Sequence, residues 1–233
     1  MRLFNLVDQM ERGFAIVNFK HYSRSTGKGS IMILKAMADA MNENVLFALS
    51  PVDLYRAVTD FPGKIMAQHV DPVTYGPYTG KISMESLMDM GITMSPLNHS
   101  EFSVPDPVIA ETIGRARELD FSIVLCVDSE AKARKYAPLN PEFIAYEPPE
   151  LIGGNISVSK ARPEIVSNVV KIGESSGVRV LVGAGIKNNE DYRMSLELGA
   201  YGILVSSGVI MAENPSASLN SLINIESGVS NGK

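Results

Sequence analysis

The chain has 233 residues, 45% of them hydrophobic and 20% charged, with 21 Lys and Arg against 26 Asp and Glu for a formal charge of −5. That composition suits a globular chain with a sizeable core, argues against large-scale disorder, and offers no clustered basic footprint for nucleic acid. No apolar run approaches the roughly 20 residues that a bilayer span requires.

Cys126 is the only cysteine, so no intrachain disulfide can form, and the opening Met-Arg-Leu-Phe-Asn-Leu-Val-Asp is too polar for the core of a signal peptide. Both points lead to the expectation of a cytoplasmic protein. No Ser/Gly/Pro-rich linker or charge block divides the chain, so residues 1–233 are expected to form one domain. Met1–Gly13 is read as an N-terminal extension that caps or flanks it, and Glu226–Lys233 as a frayed polar tail.

In chain order, a strand over Phe14–Phe19 precedes a helix over Gly29–Met41, Asn44–Leu49 precedes Val52–Val58, and Lys64–His69 precedes Met84–Asp89. The alternation continues with Gly91–Ser95 before Pro107–Leu119, Phe121–Val127 before Glu130–Ala137, and Phe143–Tyr146 before Pro163–Glu174. Val178–Val182 before Asn189–Leu198 and Gly202–Val205 before Pro215–Ile223 complete it. Asp106-Pro107, Asp128-Ser129, Arg162-Pro163 and Asn214-Pro215 supply helix starts, and Gly177 and Gly199 follow helix ends. Eight strand–helix units demand parallel pairing with right-handed crossovers, which predicts an α/β fold, a single (β/α)8 barrel. The rival, an open doubly wound sheet, usually carries a dinucleotide fingerprint after its first strand; here that position reads Lys-His-Tyr-Ser-Arg-Ser.

In such a barrel the C-terminal strand ends converge on one face. Polar residues there are Asn18 and Lys20 after strand one, Gln68 and His69 after three, Asn98, His99 and Glu101 after four, and Glu147 after six. Gly183, Ala184 and Gly185 follow strand seven, and Ser206, Ser207 and Gly208 follow strand eight. Glu147 is followed directly by a glycine-bearing loop, Pro148-Pro149-Glu150-Leu151-Ile152-Gly153-Gly154-Asn155, the arrangement of a base beneath a lid. Taken singly, these residues have plainer readings. A lone glutamate is more often a solvated loop residue, Lys20 a rim lysine, His99 a hydrogen-bonded histidine, and the glycine loops tight turns. Cys126 reads as a packing residue, His21 and His69 receive no site role, and scattered histidines give no metal-ligand set.

Together the motifs resemble the triosephosphate isomerases, specifically their short archaeal branch, over nearly the whole chain. They are Asn18-Phe19-Lys20, Ala67-Gln68-His69 with Gly76-Pro77-Tyr78-Thr79-Gly80, Asn98-His99-Ser100-Glu101, Glu147 to Gly153, Gly183-Ala184-Gly185-Ile186 and Ser206-Ser207-Gly208-Val209. The resemblance implies interconversion of dihydroxyacetone phosphate and glyceraldehyde 3-phosphate through an enediolate, in glycolysis and gluconeogenesis, without cofactor or metal. It makes Glu147 the proton carrier, Lys20 the cation over the developing oxyanion, Asn18 a further donor and Glu101 the partner of Lys20. His99 becomes a neutral imidazole whose pKa a following helix N-terminus lowers, as in that family.

The substrate would touch Asn18, Phe19 and Lys20, with its phosphate against backbone N–H groups near Gly183, Gly185, Ser206 and Ser207 and under Ile152 and Gly153. Lys20 is expected to be the only full positive charge nearby. Self-association as a homodimer or homotetramer also follows from the resemblance, through the loop Tyr75–Thr79. The lid departs from the pattern: where archaeal relatives continue Thr-Gly, this chain has Gly154-Asn155, which predicts weaker or slower closure. Two other functions compete. A different phosphosugar isomerase on the same barrel is disfavoured by Asn18 and Lys20, and a catalytically silent phosphate-binding barrel by the retention of Lys20, His99 and Glu147.

Overall fold

The computed structural model describes residues 12–154 and 156–223. The N-terminal extension up to residue 11, Asn155 of the lid and the tail Glu226–Lys233 lie outside the described residues. Strands β1 (Phe14–Asn18), β2 (Val45–Leu49), β3 (Ile65–Ala67), β4 (Met94–Leu97), β5 (Ser122–Val127), β6 (Phe143–Tyr146), β7 (Arg179–Gly183) and β8 (Gly202–Val205) form one sheet. Every ladder is parallel and the order is β3-β2-β1-β8-β7-β6-β5-β4. Helices α1 (Lys28–Ala36), α2 (Leu54–Asp60), α3 (Met84–Asp89), α4 (Asp106–Leu119) and α5 (Glu130–Tyr136) separate the first six strands. α6 (Val158–Ala161), α7 (Pro163–Ser176), α8 (Asn189–Glu197), α9 (Ser207–Ile210) and α10 (Pro215–Ile223) complete the expected (β/α)8 barrel. No helix among the described residues is long and apolar enough to cross a membrane.

Side-chain alternation sorts each strand into two cores. Phe14, Ile16, Leu46, Ala48, Met94, Val124, Phe143, Ala145, Leu181 and Leu204 fill the barrel, whereas Ala15, Val17, Phe47, Ile123, Ile144 and Val180 pack beneath the helices. Continuing in steps of two past Ile16, Met66, Met94, Ala145, Leu181 and Leu204, the inward face reaches Asn18, Gln68, Asn98, Glu147, Gly183 and Ser206. The barrel interior therefore continues into the mouth on a fixed two-residue period.

β4 lies three residues later than expected at its start, and it includes Pro96. The N–H of Ser122 bonds to Thr93 O, so odd positions of β4 turn their peptide groups to β5 and even positions toward β3. Pro96 occupies an even position and has no N–H. It therefore sits on the side of the open seam, where it costs the β4–β5 ladder nothing. Gly91, read as the strand's start, instead turns the chain at the end of α3 with φ of 83°. Two short helices, α6 and α9, were not expected, because four residues are too few to show a helical period.

Candidate active site

Asn18 ends β1 facing inward, and its Oδ1 accepts the backbone N–H of Lys20 at 2.9 Å and Nε2 of Gln68 at 3.1 Å. Gln68 also reaches Lys20 O at 3.1 Å, so both sides of Lys20's peptide frame are tied while its φ is held at +49°. This left-handed turn carries the lysine over the mouth. Lys20 Nζ lies 2.6 Å from Glu101 Oε1, with the lysine side chain 12% exposed and the glutamate 55%. Phe19 goes the other way: its fully buried ring meets Phe47 edge-on at 6.0 Å in the sheet–helix layer. Strand alternation turns this ring away from the mouth.

His99 follows the left-handed residue Asn98, whose φ is 60° and whose side chain bridges Cys126 O at 3.1 Å and Val104 N–H at 3.1 Å. The backbone N–H of Glu101 donates to His99 Nδ1 at 3.2 Å. Nδ1 is thereby the acceptor, so a neutral ring carries its proton on Nε2. Burial lowers the pKa of His99, Glu101 raises it and Lys20 lowers it. The expected helix N-terminus plays no such role here. The chain after His99 makes a turn, α4 begins only at Asp106, and the N–H at the ring is that of Glu101.

Glu147 continues the inward register of β6, and its N–H bonds to Val127 O at 2.9 Å. Burial pushes its carboxyl up to about 7, against the opposing pull of Lys20 and a hydrogen bond with Cys126, while Glu101 pushes it further up. Cys126 is thus more than packing: its buried thiol contacts the same carboxylate and is itself pushed well up. Glu147 Oε2 stands 3.7 Å from His99 Nε2. Gly183 leaves room for this carboxyl group, since a Cβ there would fall 2.5 Å from Glu147 Oε1.

Lys20 and Glu147 line one pocket with Ile152, Gly153, Gly185, Ser206 and Ser207, so the structure brings these expected positions together. Gly183 lies beneath Glu147, and His99 meets the pocket through its contact with that residue. The lid runs from a 3-10 turn at Pro149–Leu151, tethered by an Arg162–Glu150 ion pair of 2.7 Å, to its root at Ser157. Val158 N–H bonds to Ala184 O at 3.1 Å, and a Cβ on Gly185 would strike Ile156 O at 2.2 Å, so root and glycine loop are pressed together. α9 begins at Ser207, whose N–H and that of Gly208 precede the first bond of its turn, from Val209 N–H to Ser206 O. Sequence reasoning missed Lys187, which lines the same pocket and puts a second lysine there beside the expected Lys20. Its place just past the glycine motif was the available signal. Among the described residues no group of three His, Cys, Asp or Glu is arranged to hold a metal ion.

The triosephosphate isomerase family matches residues 13–225. A triosephosphate isomerase of Thermoplasma volcanium is 50% identical over 208 residues, covering 89% of this chain and 98% of that protein. Those of Archaeoglobus fulgidus, 40% identical over 218 residues, and Methanosarcina acetivorans, 37% over 219, each span 91% of this chain and 98% of their own length. With an eight-stranded parallel barrel beneath it and a match running through all eight strands, the chain belongs to the triosephosphate isomerase family.

Proposed function

We propose that the chain interconverts dihydroxyacetone phosphate and D-glyceraldehyde 3-phosphate, with Glu147 moving the proton between the two carbons. A carboxyl group with a pKa of about 7 suits a base that must both take and return a proton near neutral pH. His99 would polarise the carbonyl through Nε2–H, and Lys20 would hold positive charge against the enediolate oxygen. Asn18, its oxygen occupied by Lys20 and Gln68, would offer its amide N–H. Glu101 would keep Lys20 in position.

The phosphate would rest at Gly185, Ser206 and Ser207 beneath Ile152 and Gly153, where binding energy from the unreacting group can help close the lid. Closure would keep water from the enediolate, which otherwise can eliminate phosphate. The observation that carries the reading is the pairing of His99 Nε2 and Glu147 Oε2. Both are buried, both lack a hydrogen-bond partner, and Glu147 lines the pocket that Lys20 enters.

A coupled assay with glyceraldehyde 3-phosphate tests it. The wild type turns over, and Glu147→Asp, which withdraws the carboxylate by roughly one bond, loses about 10²-fold. Equal rates, or none in either protein, refute the assignment. Self-association belongs to the same proposal: Tyr75 and Tyr78 stand exposed on the loop after β3, and Phe102 is exposed beside His69. Light scattering across a dilution series distinguishes dimer from tetramer. A cytoplasmic setting completes the reading.

A further inference from the structure

We propose that Asp191 is a positioning residue for this reaction: one buried carboxylate couples the root of the lid to the phosphate loop. The inference rests on the isomerase reading above. Asp191 lies in the first turn of α8 and is 4% exposed. Its Oδ1 accepts Ser157 Oγ at 3.0 Å and stands 3.1 Å from Lys160 Nζ, both on the lid root. Its Oδ2 accepts the backbone N–H of Lys187 at 3.1 Å, at the end of the loop that follows β7. A second buried bridge lies one helical turn on, where Ser159 and Ser195 hydroxyls meet at 2.7 Å.

The plain alternative is helix capping. Asn188 Oδ1 accepts the Asp191 N–H at 3.0 Å, and an acid three residues after the cap usually turns back to the cap's own N–H. Here the carboxylate reaches one residue further back, to Lys187, and spends its other oxygen on Ser157 and Lys160. Capping does not require that second set of partners. The loop it holds is also one that needs holding, because Ala184 adopts φ of 74°, a left-handed conformation that alanine rarely takes. Val158 N–H on Ala184 O and Asp191 on Lys187 N–H fix its two ends to the lid root. Lid position and phosphate grip therefore shift together or not at all.

Kinetics of the full chain with glyceraldehyde 3-phosphate and with unphosphorylated glyceraldehyde test this, alongside inhibition by phosphoglycolate. In Asp191→Asn, KM for the phosphorylated substrate and the inhibition constant each rise at least about 5-fold, while kcat/KM for glyceraldehyde stays within about 2-fold. Ser157→Ala, which cuts only the lid side, moves the same constants in the same direction by less. Parallel losses on both substrates, or no change in the folded variants, overturn the coupling; a capping role predicts one of these. If Asp191→Asn fails to fold by circular dichroism, Ser157→Ala decides alone. Absence of turnover in the wild type would instead sink the isomerase reading.

Discussion

Nε2 of His99 and Oε2 of Glu147 face each other across 3.7 Å, each buried and neither hydrogen-bonded. The separation is too long for a bond, and leaving such atoms unpaired costs on the order of 1–3 kcal/mol each. Stability alone does not favour this arrangement. A small molecule carrying adjacent oxygens and an acidic C–H would satisfy both atoms at once, which is the task proposed for the triose.

Activity should follow the ionisation of Glu147. A base must be deprotonated in the free enzyme, so kcat/KM rises with pH and levels off above a midpoint near pH 7, where burial sets the carboxyl. A pH–rate profile checks this, and a midpoint near the ordinary carboxyl value of 4.5 would contradict it.

The same burial makes a stability prediction. With a folded pKa of about 7 against 4.5 for the unconstrained group, the folded state binds the proton more tightly than the unfolded chain. Stability is therefore lost as pH rises between these values, by up to about 3 kcal/mol once the group is ionised in both states. Glu147→Gln cannot ionise. In urea titrations it should match the wild type near pH 4 to about 1 kcal/mol, and exceed it by up to about 3 kcal/mol near pH 8.

Lys20 and Glu101 act on Glu147 in opposite directions, the lysine lowering its pKa and the glutamate raising it. Lys20→Met should lower kcat/KM by about 10³-fold and move the acidic midpoint up. Glu101→Gln releases the 2.6 Å ion pair, costs about 10-fold through poorer placement of the lysine, and moves the midpoint down. Midpoints that moved the same way in both variants would show that charge is not what tunes the base.

Gly183 is required for space, since an added Cβ would lie 2.5 Å from Glu147 Oε1 and 2.6 Å from its Cγ. Gly183→Ala should displace the carboxylate by a fraction of an ångström or more and cost about 10²-fold in kcat. Fold and substrate binding persist, as circular dichroism and KM will report.

Gly154 is expected to loosen the lid. A Cβ there meets Leu151 O at 3.0 Å, a contact that a shift of a few tenths of an ångström relieves. Gly154→Thr removes conformational freedom from the open lid, worth about 0.4–1 kcal/mol, and should improve kcat/KM by about 2- to 5-fold. No gain in either turnover or affinity would remove the lid explanation.

The barrel was legible in the sequence because strand and helix periods alternate eight times with capping residues at their junctions. β4 shifted because a proline ordinarily argues against a strand, and only the open seam beside β3 explains why Pro96 is tolerated. The candidate positions lay at predicted strand ends, so Lys20, His99 and Glu147, which the structure brings together, were legible as candidates. Phe19 could not be separated from its neighbours by motif alone, whereas alternation turns it outward. Cys126 against Glu147 and Asp191 against Ser157 are contacts between distant segments, and no local spacing announces them. Lys187 stood beside a recognised glycine motif but outside it.

The two-residue alternation that packs the barrel also fixes the phase of the mouth. Adding or removing one residue within β6 would rotate Glu147 into the greasy layer beneath the helices and thrust an apolar neighbour among the charges. Core and reactive groups here share one clock, so length changes inside these strands are barred by chemistry as firmly as by packing, and divergence is channelled into the loops.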